Sequence, residues 1–131
     1  MTARRELRGV LFDLDGTLLD TAADMAVALN RTRNSEGLPH LPHERIRPLV
    51  SHGAPRLLRF ALGEPEPARY ESLRRRFLDF YREALAVHTR LFEGCDRVLA
   101  HLDARGLRWG IVTNKPGWLT EPLLAQVGLA P

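Results

Sequence analysis

Two aspartates, Asp13 and Asp15, interrupt the otherwise apolar stretch VLFDLDGTLLD at residues 10–20. On an extended strand residues two apart point the same way, so both carboxylates are expected on one side of the chain. Two close carboxylates repel unless a cation or a shared proton relieves them. Two hard oxygen donors suit Mg²⁺, which keeps waters and a substrate phosphate in its shell. Mg²⁺ is therefore the expected cofactor, with Asp13 and Asp15 as its ligands. Gly16 permits a sharp turn straight afterwards, and Thr17 can hydrogen-bond locally to hold it. Asp15-Gly16 between apolar runs is also a two-residue hairpin signal, but a hairpin assigns nothing to Asp13, a charged residue in an apolar strand.

These side chains need a strand end to hold them. The segment RGVLFDL, residues 8–14, is a short apolar run without polar alternation, as expected for a strand buried on both faces of a parallel sheet. In open sheets of this kind ligands gather at the carboxyl ends of the strands, where Asp13 falls. Asp20 and Thr21 offer caps for a helix over about 21–35, and EGLPHLP ends it. Residues 43–90 show only helical patterns: a short piece at HERIRPLV, another at 54–62, and a long one over about 67–88. In the long helix Tyr70, Leu73, Phe77, Phe80 or Tyr81, and Ala84 form one stripe. Gly94 opens a helix to about Ala104, LRWGIVTN at 107–114 reads as a second buried strand, and a final helix spans about 117–127. The order predicts an α/β fold with a parallel-sheet core from 1–20 and 91–131 and an all-helical insertion at 21–90. Two strands are too few for a stable open sheet, so the core is expected to be incomplete.

Composition narrows the partners. The chain has 131 residues, 44% apolar and 27% charged, and no run approaches the length of a membrane span. The N-terminal residues MTARRELRGV are charged and the following apolar stretch is broken by Asp13 and Asp15, so no signal-peptide core is read there. Cys95 is the lone cysteine, in keeping with a reducing compartment, and the expected location is the cytoplasm, with no membrane partner. Net charge is +3, but the basic residues are interleaved with acids, and 18 of the 19 are arginine, with Lys115 the single lysine. That is a compositional bias rather than a phosphate-backbone track, and no nucleic-acid partner is expected.

The string D-x-D-G-T-L after an apolar strand resembles the first motif of the haloacid dehalogenase superfamily, matched by Asp13, Asp15 and Thr17. Thr113 in IVTNK, 113 − 13 = 100 residues downstream at the end of the second strand, is similar to that family's second motif. The resemblance implies a Rossmann-like core with a helical cap and a Mg²⁺-dependent phosphatase acting on a small phosphorylated metabolite. By analogy Asp13 is the nucleophile that forms an aspartyl phosphate, and Asp15 is the acid and base of the two half-reactions. The Thr113 hydroxyl and the Asn114 backbone N–H would hold a phosphoryl oxygen. Mg²⁺ would contact the Asp13 carboxylate and the Asp15 main-chain carbonyl. The segments HGAPRLL (52–58) and VTNKPGWLTEPLL (112–124) are similar to the phosphoglycolate phosphatase branch. AVHTRLFEG (86–94) and RWGIVTNKP (108–116) are also similar to N-acetylmuramic acid 6-phosphate phosphatases within it.

Two further motifs of that family, a lysine near the nucleophile and an acidic pair that completes the metal shell, are not found in the sequence, so turnover by this chain is expected to be weak or absent. Lys115 belongs to the second motif's loop and reads as a loop lysine or a partner for a charged substrate group. His52, Arg56 and His88 are candidates for contacting the substrate beyond its phosphate. Three alternatives stay open: the choice between the two substrate types, a phosphosugar mutase on the same fold, and a catalytically silent fragment or interaction module.

Overall fold

The computed structural model describes residues 5–129, so residues 1–4 and 130–131 of the expected core segments lie outside it. Two parallel strands, β1 (Gly9–Phe12) and β4 (Arg108–Ile111), pair in register from Gly9 opposite Arg108 to Phe12 opposite Ile111. The Val112 N–H donates to the Phe12 carbonyl at 2.8 Å and extends the ladder one residue further. Between them lie β2 (Leu19–Asp20), α1 (Ala22–Ser35), α2 (His43–Ile46), a 3₁₀ segment (Arg47–His52), α3 (Ala54–Leu62), α4 (Pro67–Glu83), β3 (Arg90–Leu91) and α5 (Cys95–Ala104). α6 (Gly117–Gln126) follows β4. Parallel strands cannot be joined by a tight turn, and the long helical crossover meets that need.

The α/β arrangement and the helical character of the block between the parallel strands agree with the sequence. Three details differ. β1 is not buried on both faces: Val10 and Phe12 are half-buried while Leu11 is 74% exposed. Alternate side chains of β1 therefore face outward, as in a half-covered strand. Val112 is likewise 59% exposed beyond the end of β4. The long helix stops at Glu83 rather than near residue 88, and β2 and β3 form a two-residue antiparallel pair, Leu19 opposite Leu91, that has no periodic signal of its own.

The core sits mainly where α1 packs on α4, with α2, α3 and the 3₁₀ segment around them. Leu29, Leu57, Leu58 and Phe77 are fully enclosed, each contributing about 1.5–3 kcal/mol of transfer free energy. Tyr81, not Phe80, is the inner residue of the α4 stripe, stacked on Phe77 with ring centroids 6.2 Å apart.

One buried carboxylate fastens this helical block to the strand that follows it. Asp24, in the first turn of α1, accepts the backbone N–H groups of His88 and Thr89 and the Thr89 hydroxyl at 2.7–3.1 Å. Asp24→Ala leaves those buried donors unpaired and is expected to lower the unfolding free energy by about 2–4 kcal/mol. Urea denaturation checks this, and a change below about 0.5 kcal/mol would show that Asp24 does not fasten the block.

Candidate active site

β1 delivers Asp13 immediately after its last residue, and β4 delivers Thr113 two residues after its own. Because Phe12 stands opposite Ile111, the register brings the residues that follow both strands to the same end of the sheet. The chain then turns hard at Leu14, whose carbonyl accepts the N–H groups of Thr17, Leu18 and Leu19 at 3.0–3.2 Å. Gly16 makes the turn possible at φ +79°, and a Cβ there would also press on Ser51 at 3.1 Å.

The two aspartates end up in different surroundings. Asp13 is exposed: its Oδ1 accepts the Leu14 N–H at 2.9 Å, and its Oδ2 lies 3.5 Å from the Thr17 hydroxyl. Asp15 is buried, and its Oδ1 accepts both the Thr21 hydroxyl and the Lys115 ammonium at 2.8 Å. Its Oδ2 has no hydrogen-bond partner among the described residues. One carboxylate is thus open to a ligand, and the other is fixed through one oxygen with the second left free.

Lys115 is the residue that sequence alone left as a loop lysine. Its side chain is only 4% exposed, and Nζ bridges Asp15 and the Tyr81 hydroxyl, each at 2.8 Å, while lying 4.6 Å from the centre of the Tyr81 ring. Burial pushes the Lys115 ammonium below the ordinary lysine value, and the Asp15 carboxylate opposes that by favouring the charged form. Burial also raises the Tyr81 phenol above its usual range, helped by the negative charges of Asp15 and Asp24, so its hydroxyl stays protonated. Thr21 was expected to cap α1. It makes no side-chain cap and spends its hydroxyl on Asp15 instead, while Asp20 makes a long 3.4 Å contact to the Ala22 N–H.

The loop after β4 is held from within. The Thr113 hydroxyl accepts the Lys115 N–H at 3.1 Å, which shapes the turn. Asn114 is exposed and lies against Gly53, the residue that opens α3, where an added Cβ would meet the Asn114 Nδ2 at 2.5 Å. A side chain at residue 53 would displace the Asn114 amide, and the φ of +85° there favours glycine.

A cavity of about 200 Å³ adjoins Asp15, lined also by Asn114, Lys115, Tyr81 and Arg74. Asp13 and Thr113 are not among its lining residues, nor are His52, Arg56 and His88. Arg74 was missed in the sequence because it flanks the apolar stripe of α4 and reads as one of three consecutive surface arginines.

The residues present suit Mg²⁺ in part. The exposed Asp13 carboxylate has lone pairs to spare, and the Asp15 main-chain carbonyl accepts no backbone hydrogen bond among the described residues. No group of three or more His, Cys, Asp or Glu converges among the described residues. A carboxylate and a carbonyl match an ion that binds through one or two carboxylates and keeps several waters. The Asp15 carboxylate is committed to Lys115, so the carbonyl is its better-placed donor.

The chain belongs to the haloacid dehalogenase-like hydrolase family, whose model matches residues 10–130. It is 44% identical over 125 residues to an N-acetylmuramic acid 6-phosphate phosphatase of Pseudomonas putida, covering 95% of this chain and 56% of that protein. It is 42% identical over 121 residues to a phosphoglycolate phosphatase of Xanthomonas campestris, covering 92% of this chain and 55% of that one. The crystal structure of a predicted phosphoglycolate phosphatase from Haemophilus somnus superposes with a TM-score of 0.83 at 27% identity, over 94% of this chain and 58% of the other. The chain spans a little over half the length of the curated relatives it matches. Among the described residues no helix is long and apolar enough to cross a membrane.

The Lys115–Asp15 contact makes a measurable prediction. A double-mutant cycle of Lys115→Met with Asp15→Asn is expected to give a coupling energy of about 1–3 kcal/mol in thermal or urea unfolding. Additive effects, within about 0.3 kcal/mol, would show that the two groups do not support one another.

Proposed function

We propose that the chain is the nucleophile-bearing part of a Mg²⁺-dependent phosphomonoester hydrolase that works through an aspartyl phosphate. The observation behind this is the division between the two aspartates: Asp13 exposed at the strand end, Asp15 buried with one oxygen anchored and the other free. Family membership and the phosphatase relatives support it.

In this mechanism an Asp13 carboxylate oxygen attacks phosphorus in line as the ester oxygen departs. Asp15 takes up a proton from solvent at the free Oδ2, gives it to that oxygen as the ester bond breaks, and then, as a carboxylate again, removes one from the water that hydrolyses the intermediate. Thr21 and Lys115 hold Oδ1, so proton transfer falls to one defined oxygen. The Thr113 hydroxyl and the Asn114 backbone N–H steady the phosphoryl oxygens. The Asp13 carboxylate and Asp15 carbonyl would hold Mg²⁺, which when bound neutralises charge on the phosphoryl group. Residues 21–90 act as a cap that shields the site from water.

The substrate is a small phosphorylated metabolite, most nearly of the phosphoglycolate type, with an N-acetylmuramic acid 6-phosphate type as the second reading. The names of both groups of relatives describe a phosphate ester whose leaving group bears a carboxylate. The protein is read as cytoplasmic, without nucleic-acid or membrane partners.

Phosphate release from 2-phosphoglycolate and p-nitrophenyl phosphate with excess Mg²⁺ tests the assignment. Release is expected to be slow, and Asp13→Asn should lower it by about a hundred-fold or more, to background. Activity retained by pure Asp13→Asn would rule out Asp13 as nucleophile, and no release from either ester by the unaltered chain would favour a silent interaction module.

A further inference from the structure

The cavity beside Asp15 is richer in unspent donors than proton transfer requires. Arg74 lines it from α4, and its one side-chain partner among the described residues is Glu71, an exposed group 3.4 Å away. Most of the five guanidinium N–H donors therefore have no protein acceptor. The Tyr81 hydroxyl accepts from Lys115, and its own proton has no acceptor among the described residues. Lys115 spends two of its three N–H groups on Asp15 and Tyr81. Asp15 is the only acid on the lining, and Lys115 balances it, so inside the cavity no acid faces Arg74, whose one ion-pair partner, Glu71, is exposed and lies outside the lining.

Size and shape narrow what would pair with Arg74 inside the cavity. Arg74 and Tyr81 are seven residues apart on one helix, two turns or about 10 Å along its axis, so the donors are spread along the cavity. A volume of about 200 Å³ holds roughly six or seven water-sized groups. The glycolate leaving group, with about five heavy atoms, fits within it. Phe77 and Leu78 supply apolar wall between the polar groups, suited to a short methylene segment.

We infer that Arg74 receives a carboxylate on a short leaving group whose phosphate ester oxygen stands at Asp15. This rests on the phosphatase reading above and sharpens it: the cavity takes the leaving group, and the Asp13 side takes the phosphoryl group. A planar carboxylate can accept two parallel N–H bonds from a guanidinium, which selects it over a neutral end of similar size. Arg74 is then a specificity residue on the helical block, while bond cleavage belongs to residues at the strand ends.

Calorimetric titration of the whole chain, in Mg²⁺, with 2-phosphoglycolate and with ethyl phosphate tests this, since the two differ only by a carboxylate against a methyl group. 2-Phosphoglycolate is expected to bind roughly ten- to a hundred-fold tighter, the range of a charged hydrogen-bonded pair. Arg74→Met should bring the two within about two-fold while leaving ethyl phosphate unchanged. Arg75→Met, at a side chain 79% exposed and outside the cavity lining, should preserve the difference. A gap below about three-fold, a gap that survives Arg74→Met, or no measurable binding of either ligand would overturn the inference. Release from p-nitrophenyl phosphate, followed in parallel, bears on hydrolysis alone. Selective binding without release would sink the phosphatase reading and leave the carboxylate site standing, and release without selectivity would do the reverse.

Discussion

A buried ion pair between Lys115 and Asp15, at 2.8 Å, joins three segments that the sequence keeps far apart. Taking an ammonium and a carboxylate out of water costs several kcal/mol each, and the pair is tolerable only when geometry and further hydrogen bonds compensate. Here Thr21 supplies a second donor to Asp15, and Tyr81 supplies both an acceptor and a ring face to Lys115. The turn after β1, the loop after β4 and α4 of the helical block therefore share one electrostatic knot. Asp15, Lys115 and Tyr81 also line the cavity, so structural support and the chemical site are not separate features.

The knot explains why two aspartates only two residues apart can differ in role. Asp13 keeps an exposed carboxylate because the Leu14 turn bends the chain away just after it. Asp15 is carried inward by the same turn, where Lys115 and Thr21 fix one oxygen. The parallel register of β1 and β4 sets where both begin, since the residues following Phe12 and Ile111 must emerge together. The helical block closes the third side, with Gly53 allowing close approach to Asn114 and Arg74 reaching the cavity from two turns before Tyr81.

Local signals were legible where local physics decides. The bounds of α3 matched the sequence pattern, α5 and α6 fell within a residue or so of it, and the D-x-D-G-T string marked the turn. What could not be read depends on contacts across long separations. β2 and β3 are two residues each and exist because Leu19 meets Leu91, a pairing without local periodicity. Lys115 looked like a loop lysine because nothing nearby in sequence reveals that Asp15, 100 residues away, waits for it. Thr21 resembled a helix cap because capping and side-chain pairing use the same hydroxyl. Arg74 was hidden among three consecutive arginines, of which only one turns toward the cavity. The exposure of Leu11 was missed for a related reason: apolar continuity predicts burial on both faces, but a strand's second face is buried only where something covers it.

The claim on which the functional account turns is that Asp13, and not Asp15, takes the phosphoryl group. Borohydride reduction during exposure to 2-phosphoglycolate and Mg²⁺, followed by peptide mass spectrometry, reads this directly, because an aspartyl phosphate is reduced to homoserine where an unmodified aspartate is not. The account expects homoserine at position 13 and an unchanged aspartate at position 15. Homoserine at position 15, or at neither position while phosphate is being released, would contradict it.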